Sequence, residues 1–324
     1  MSNKVLKPKK ASLYQFTQKY SNNIDNCIEF FKSMKWPEGF SCDRCGCHKY
    51  YLVKRVGKTK TSYVLECSSC HKQHSLLSGT IFQSCKLDLY KLLLGIFLFF
   101  NENKGISAVD LCSILDVNYK TALLLENKCR ILMSLSNSDK LLNSLFYEAD
   151  VFNIGAKSKN KAGRASEQQP ILGILSTDKE NNYPRFIKLR VITDYTGLSL
   201  KKNIEKCCVL SHDALLNTDG EKGFNTLNEE IQVKNEKISY EEKDHRLLWL
   251  NIIIGNIKNN ITGIYHGITK REIPLFLNEQ EYRFNHRKMG KTIMDKIKKY
   301  LQRSFPISHR QIVYILNISA PHFS

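Results

Sequence analysis

Apolar residues recur at helical spacing over residues 13–35, at Leu13, Phe16, Tyr20, Ile24, Cys27, Ile28 and Phe31, which predicts helix. Pro37 ends it, because proline disfavours helical geometry in the residue before it. Residues 50–55 and 63–67 read as strands joined at Gly57. Residues 87–100 are almost continuously apolar and predict a buried helix. Ser107-Ala-Val-Asp110 is a capping box, with Ile106 and Leu111 placed as a hydrophobic staple. A helix to Leu115, a turn at Asp116-Val-Asn118 and a second helix from Tyr119 make a helix-turn-helix candidate. Its second helix would present Tyr119, Lys120 and Thr121 to base edges.

From residue 145 the pattern changes period. Residues 145–155 are aromatic and branched and close on Gly155, the signature of a buried strand. Further strands are expected at residues 170–176, 184–193 and 214–219, with a short helix at 198–205 and an apolar helix at 245–262. Strands mixed with helices give an α/β class for this half.

Composition narrows the partners. The chain has 324 residues, 49 Lys and Arg against 31 Asp and Glu, and a formal charge of +18. Such an excess suits a polyanion such as nucleic acid. The longest apolar run, at residues 92–100, is too short to span a membrane. The start, MSNKVLKPKKAS, is basic without an apolar core, so a soluble intracellular protein is expected. Residues 1–12, with Lys4, Lys7, Lys9 and Lys10, read as a mobile arm, and Lys157 to Gln169, with Lys157, Lys159, Lys161 and Arg164, as a flexible basic loop.

Four of the eleven cysteines form two CxxC pairs, Cys42–Cys45 and Cys67–Cys70. Two such turns supply the tetrahedral thiolate shell that zinc prefers, and a structural zinc is the expectation. Cys47, His48, His71 and His74 are nearby spare donors. Lys54, Arg55, Lys58 and Lys60 on the intervening hairpin offer charge for phosphates or for solvent.

Glu148 and Asp150, two apart on a strand, share a face. Burying an unpaired carboxylate is costly, so a central strand that keeps acids usually gives them a cation. Asp219 ends another apolar strand just before Gly220, on a rim where ligands bind. In the apolar helix, Asn251, Gly255 and Lys258 fall at i, i+4 and i+7 and form one polar stripe. Gly255 costs that helix about 1 kcal/mol relative to alanine, which suggests the close approach of a backbone or phosphate. Two strand aspartates and a polar helix stripe suggest a divalent-cation site facing nucleic acid. Glu148, Asp194, Asp213 and Asp244 are alternative acids, read more readily as surface or salt-bridge groups.

The chain resembles the insertion-sequence transposases of the zinc-ribbon group, the ISXO-like group that is also similar to eukaryotic Merlin elements. The matching pieces are the CxxC pairs with Ser78-Gly-Thr-Ile-Phe82, EADVFNIGAK from Glu148, NTDG from Asn217, WLNIIIGNIKNNITGIYHG from Trp249, and EYRFNHR from Glu281. The resemblance implies a zinc ribbon in residues 1–85, a helix-turn-helix in 86–142 and a ribonuclease-H-like catalytic domain with basic C-terminal helices in 143–324. It implies DNA cleavage and strand transfer with two Mg2+ or Mn2+ ions, on double-stranded element ends, by a homo-oligomer. The setting would be the nucleoid in a prokaryote or the nucleus in a eukaryote. Asp150 and Asp219 fall on the metal-binding aspartates, Asn251 on the third position, and Lys258 on the accompanying lysine. Val151 stands where relatives often have an acid. Arg283 and Arg287, four apart on one helix face, are candidates for holding phosphates, with capping and surface charge the alternative. A descendant that binds DNA but no longer cuts is the other reading of Val151 and Asn251.

Overall fold

The computed structural model describes residues 11–57, 61–137, 141–155, 168–178, 183–235, 247–288 and 293–318. The basic arms at residues 4–10 and 157–164, and Lys58, Lys60 and Asp244, lie outside the described residues. Two compact units, each discontinuous in sequence, make up the chain: Met1–Leu135 with Lys288–Val313, and Ser136–Arg287 with Tyr314–Ser324.

In the first unit the helical run expected over residues 13–35 is two helices, α1 (Leu13–Tyr20) and α2 (Ile24–Lys35). The break has a local cause: the Asn23 side chain accepts the Asn26 N–H at 3.2 Å and starts a new helix. An antiparallel sheet follows, ordered β1 (Tyr50–Val56), β2 (Thr61–Cys67), β3 (Gln73–Ser75). Helix α3 (Leu89–Asn101) starts on the Asp88 cap and is buried over most of its surface. Its Gly95 marks a close approach, since a Cβ there would meet Leu125 Cδ2 at 2.5 Å and Leu115 Cδ1 at 2.9 Å. Those leucines belong to α5 (Tyr119–Asn137) and α4 (Ala108–Leu115). Half of the expected capping box forms: Ser107 Oγ accepts the Asp110 N–H at 3.1 Å, but the Asp110 carboxylate accepts the Ser107 hydroxyl at 2.7 Å rather than the Ser107 N–H.

The second unit is built on a five-stranded mixed sheet, ordered β6-β5-β4-β7-β8. Its strands are β4 (Phe146–Ile154), β5 (Gln169–Asp178), β6 (Tyr183–Val191), β7 (Leu215–Thr218) and β8 (Gln232–Asn235). β4, β5 and β6 are antiparallel neighbours, whereas β4–β7 and β7–β8 pair in parallel. Alternation along β4 divides two cores. Tyr147 and Ala149 face a cluster with Leu200 and Ile204 of α6 (Gly197–Glu205). Phe152 and Ile154 face the other, formed by Leu250, Ile253, Ile254 and Ile257 of α7 (Leu248–Gly263) and by α8 (Ile273–Asn285). Glu148 and Asp150 fall on this second side by the same alternation.

β6 ends the sheet, and an edge strand exposes unpaired N–H and C=O groups. Side chains of α8 and the turn after it occupy them. Asn285 accepts the Ile187 N–H at 2.8 Å and donates to the Ile187 carbonyl at 2.9 Å. Glu281 accepts the Leu189 N–H at 3.2 Å, and Arg287 donates to the Pro184 and Arg185 carbonyls. The EYRFNHR stretch is thus a clamp that stands in for a sixth strand.

The chain then returns to the first unit with α9 (Ile293–Arg303), before α10 (His309–Ile318). Phe100 and Tyr300 stack at 6.0 Å, and Gln302 donates to the Met34 carbonyl at 2.9 Å. The Ser78–Phe82 stretch is a junction here: Ile81 N–H donates to Ser304 Oγ at 3.1 Å, and the buried Lys128 of α5 donates to the Ile81 carbonyl at 2.6 Å. No helix among the described residues is long and apolar enough to cross a membrane.

The contact at Gly95 is testable. Gly95→Val should destabilise the first unit by about 1–3 kcal/mol through overpacking, read as an earlier midpoint in denaturant with the slope unchanged.

Candidate active site and metal centre

The β1–β2–β3 sheet brings the two CxxC turns together. Sγ of Cys42, Cys45, Cys67 and Cys70 all lie within 4.8 Å of one another. Cys42–Cys70 and Cys45–Cys67 are each 3.5 Å apart. Tetrahedral Zn–S bonds of 2.3 Å require sulfurs about 3.8 Å apart, so four converging thiols of this spacing fit zinc. Burial opposes ionisation of Cys42, but the N–H groups of Arg44 and Cys45 and the side chains of His74 and Cys70 bring its thiol down to about 6. Of the spare donors, His48 Nδ1 lies 3.0 Å from the Phe40 carbonyl, and His71 lies 3.3 Å from Glu66. Cys47 Sγ turns to Ser68 Oγ at 3.5 Å. Two of them reach a ligand: the Cys47 thiol interacts with Cys67, and a ring nitrogen of His74 groups with Cys42 and Asp43.

The acids sit on adjacent parallel strands. Ala149 pairs with Thr218; Asp150 is the next residue, midway along β4, and Asp219 follows directly after the carboxyl end of β7, the side of an open α/β sheet where ligands bind. Burial and then the negative charge of Asp219 push the Asp150 carboxyl above its ordinary value. The Val151 N–H, which donates to Asp150 Oδ1 at 2.7 Å, and the Lys258 ammonium act the other way. Lys258 Nζ lies 5.7 Å from the Phe152 ring centre, on the same side of β4. Glu221, which sequence reasoning passed over, adds negative charge to the field at Asp150. Its signal was available in its position directly after the Asp219-Gly220 turn.

Glu148 is neither a surface acid nor a salt-bridge partner among the bonds seen. It is 3 % exposed, and its Oε2 accepts the Leu250 N–H at 2.8 Å. Helix α7 has no side-chain cap of its own at Leu247, so β4 supplies the missing acceptor. Burial pushes the Glu148 carboxyl up to about 7, against the effect of that N–H. The bond fixes the start of α7 over β4, one residue before Asn251. Asn251 and Lys258 are exposed on α7, and a Cβ at Gly255 would meet nothing within 4 Å. No described part of the protein therefore uses the gap at Gly255, and the stripe opens outward. Gly173, opposite Asp150 on β5, seats the same helix: a Cβ there would come within 3.3 Å of Leu250 Cδ1.

The remaining sequence candidates divide. Tyr119 and Lys120 are exposed at the start of α5, while the Thr121 N–H and hydroxyl bind Asn118 Oδ1 at 2.9 and 3.0 Å. Lys54 and Arg55 are exposed on β1. The two arginines read as phosphate contacts are held by the protein itself. Arg283 pairs with the fully buried Glu279 at 2.7 Å, a partner four residues back that the helical spacing already offered. Arg287 stacks its guanidinium 4.0 Å from the Phe284 ring centre and donates to carbonyls at the sheet edge. Asp194 caps its own turn, accepting the Thr196 N–H at 2.9 Å, and Asp213 is an exposed turn residue.

Two stretches match known domain families. Residues 146–285 match the ISXO2-like transposase domain, and residues 23–73 match the transposase zinc-ribbon domain. No curated protein matches the chain.

Two substitutions check which groups hold the second unit together. Glu148→Ala removes the acceptor at the start of α7 and should cost about 1–3 kcal/mol. Glu281→Ala leaves Lys188 and Arg190, now at 3.1 and 2.9 Å from it, without their carboxylate and should cost about 3–5 kcal/mol. Equilibrium unfolding of the variants reads both, and the second loss should be the larger.

Proposed function

We propose that this chain, which carries an ISXO2-like transposase domain and a transposase zinc-ribbon domain, is a DNA transposase. It binds the ends of its element and carries out metal-dependent strand cleavage and strand transfer. The observation that carries the proposal is the parallel pairing of β4 and β7, which sets Asp150 beside Asp219 with Lys258 acting on the same carboxylate.

In this reading the second unit is a ribonuclease-H-like catalytic domain, supported by its mixed sheet with helices on it. Asp150 and Asp219 hold Mg2+ or Mn2+, hard cations that favour carboxylate oxygens. A carboxyl raised by burial and by a neighbouring negative charge gains most from a cation, so the donor set fits. Asn251 offers a carboxamide oxygen from the exposed stripe of α7, without charge, and holds an ion more weakly than an acid would. Lys258 neutralises phosphate charge and does not ligate. Bound as a pair, the cations would supply Lewis-acid activation of the attacking and leaving oxygens in an in-line displacement at phosphorus. The residues orient the phosphodiester and hold its charge, and no covalent bond to the protein is needed.

The first unit binds DNA in this account. Its four cysteines hold a structural zinc, and α4 and α5 act as a helix-turn-helix, with Tyr119, Lys120 and Thr121 leading the reading helix. Arg283 and Arg287 are assigned to the fold rather than to phosphates, because Glu279 and the β6 carbonyls engage them. The enzyme acts on double-stranded DNA as a homo-oligomer that brings two ends together.

The test is nicking and joining of DNA that carries the terminal repeats flanking the gene, in Mg2+ and in Mn2+. Asp150→Ala and Asp219→Ala should reduce both steps to background while DNA binding persists. Lys258→Ala should slow cleavage on the order of 10²-fold, the usual loss of one charge-stabilising group. Asn251→Asp should lower the metal concentration needed for half-maximal rate. Cleavage unchanged in both aspartate variants defeats the catalytic assignment. Specific binding by the parent with no cleavage in either metal supports the DNA-binding descendant instead.

A further inference from the structure

The imidazole of His74 has no role in the functions argued so far, yet it is placed with unusual care. It is 6 % exposed on the short strand β3, and Leu65 of β2 is its register partner. Trp36 and Phe40 meet it edge-on, with ring centres at 6.1 and 5.4 Å. Two further observations give the ring a chemical direction. One of its nitrogens lies within 4.8 Å of both the Cys42 Sγ and the Asp43 carboxylate, and Nδ1 is 3.8 Å from Asp43 Oδ1. Nε2 is buried and has no hydrogen-bond partner in the protein. A buried ring nitrogen left unpaired is costly, so a histidine that only filled space would be replaced at a gain by phenylalanine.

We propose that His74 is a positioning residue for the zinc centre, its imidazole N–H holding the Cys42 thiolate while the Asp43 carboxylate fixes the ring. The inference rests on the reading of Cys42, Cys45, Cys67 and Cys70 as zinc ligands, and it leaves that set of four intact. The logic is that of outer groups around a metal: an N–H donor beside a thiolate offsets part of its charge and fixes its direction, and losing such a partner typically weakens metal affinity 10–100-fold. The carboxylate completes the line. Asp43 is itself anchored, since Lys72 Nζ lies 2.7 Å from its Oδ1, so acid and ring are both held beside the sulfur on one side of the site. The opposite pair is supported in another way, by the backbone N–H of Cys47 on Cys45 and those of Ser69 and Cys70 on Cys67.

The experiment uses the full chain loaded with zinc, a chromophoric chelator in competition, and Co2+ substitution to report the ligand set. The parent should bind one zinc, and its cobalt form should show the spectrum of four sulfurs. His74→Phe keeps the aromatic packing and removes the nitrogens; it should keep the four-sulfur spectrum and lose 10–100-fold in zinc affinity. His74→Gln, which retains an N–H donor, should recover part of that loss. Asp43→Asn, at an exposed position that does not threaten folding, should lose affinity severalfold with the same spectrum. Equal affinity in parent, His74→Phe and Asp43→Asn overturns the proposal, as does a parent spectrum of three sulfurs and one nitrogen that changes only in His74→Phe, because His74 would then be a ligand. A parent that binds no zinc removes the four-cysteine reading itself, a result that the stoichiometry shows before any variant is compared.

Discussion

Two like charges forced onto neighbouring strands set the terms for the second unit. The Ala149–Thr218 rung of β4 and β7 brings Asp150, midway along β4, to the residue that follows the end of β7, Asp219. There burial and mutual repulsion both disfavour ionisation of Asp150. A fold selected for stability alone would place asparagine or an aliphatic side chain there. Stored repulsion of this kind makes sense where a cation arrives to relieve it.

The surrounding structure exists to hold that arrangement still. Helix α7 must keep Lys258 against β4, and it is fixed at both ends of its contact: by Glu148 on the Leu250 N–H, and by Phe152 beneath the Lys258 ammonium. The helix comes this close because Gly173 presents no side chain under Leu250. Across the sheet, α8 secures the β6 edge through Glu281, Asn285 and Arg287. The acids of this unit thus separate by environment. Glu279 and Glu281 are fully buried and matched to arginine and lysine, and Glu148 is spent on a helix terminus. Asp219 is exposed and Asp150 and Glu221 are half-buried, and Asp150 and Asp219 are the acids to which the proposal assigns the cation.

Much of this was legible before any fold was known, and the parts that were not share a cause. Ser107 and Asp110 write their capping box in four consecutive residues, and α4, the turn and α5 begin and end where that local chemistry placed them. The 145–155 strand and the shared face of Glu148 and Asp150 were equally plain from alternation, although Glu148 reads from sequence as a surface or salt-bridge acid. By contrast β3 and β8 are three and four residues long with polar members, too short for any period to show. The break between α1 and α2 turned on a single asparagine cap within an unbroken apolar rhythm. Arg283 and Arg287 left two readings open because a basic pair on a helix face looks alike whether it meets phosphate or protein. For Arg283 the partner, Glu279, lies four residues back on the same helix; for Arg287 only the bare β6 edge, a tertiary fact, distinguishes the two. Glu148 is the same lesson in reverse, a carboxylate whose partner, a helix N–H, lies 102 residues away.

The claim on which the catalytic account stands is that Asp150 and Asp219 share a divalent cation. Crystals grown with Mn2+ and measured at an energy where manganese scatters anomalously test it without reference to activity. The account predicts an anomalous peak bridging the two carboxylates and missing from Asp219→Ala crystals. A peak elsewhere, or none at Mn2+ concentrations that saturate the protein in solution, would contradict it.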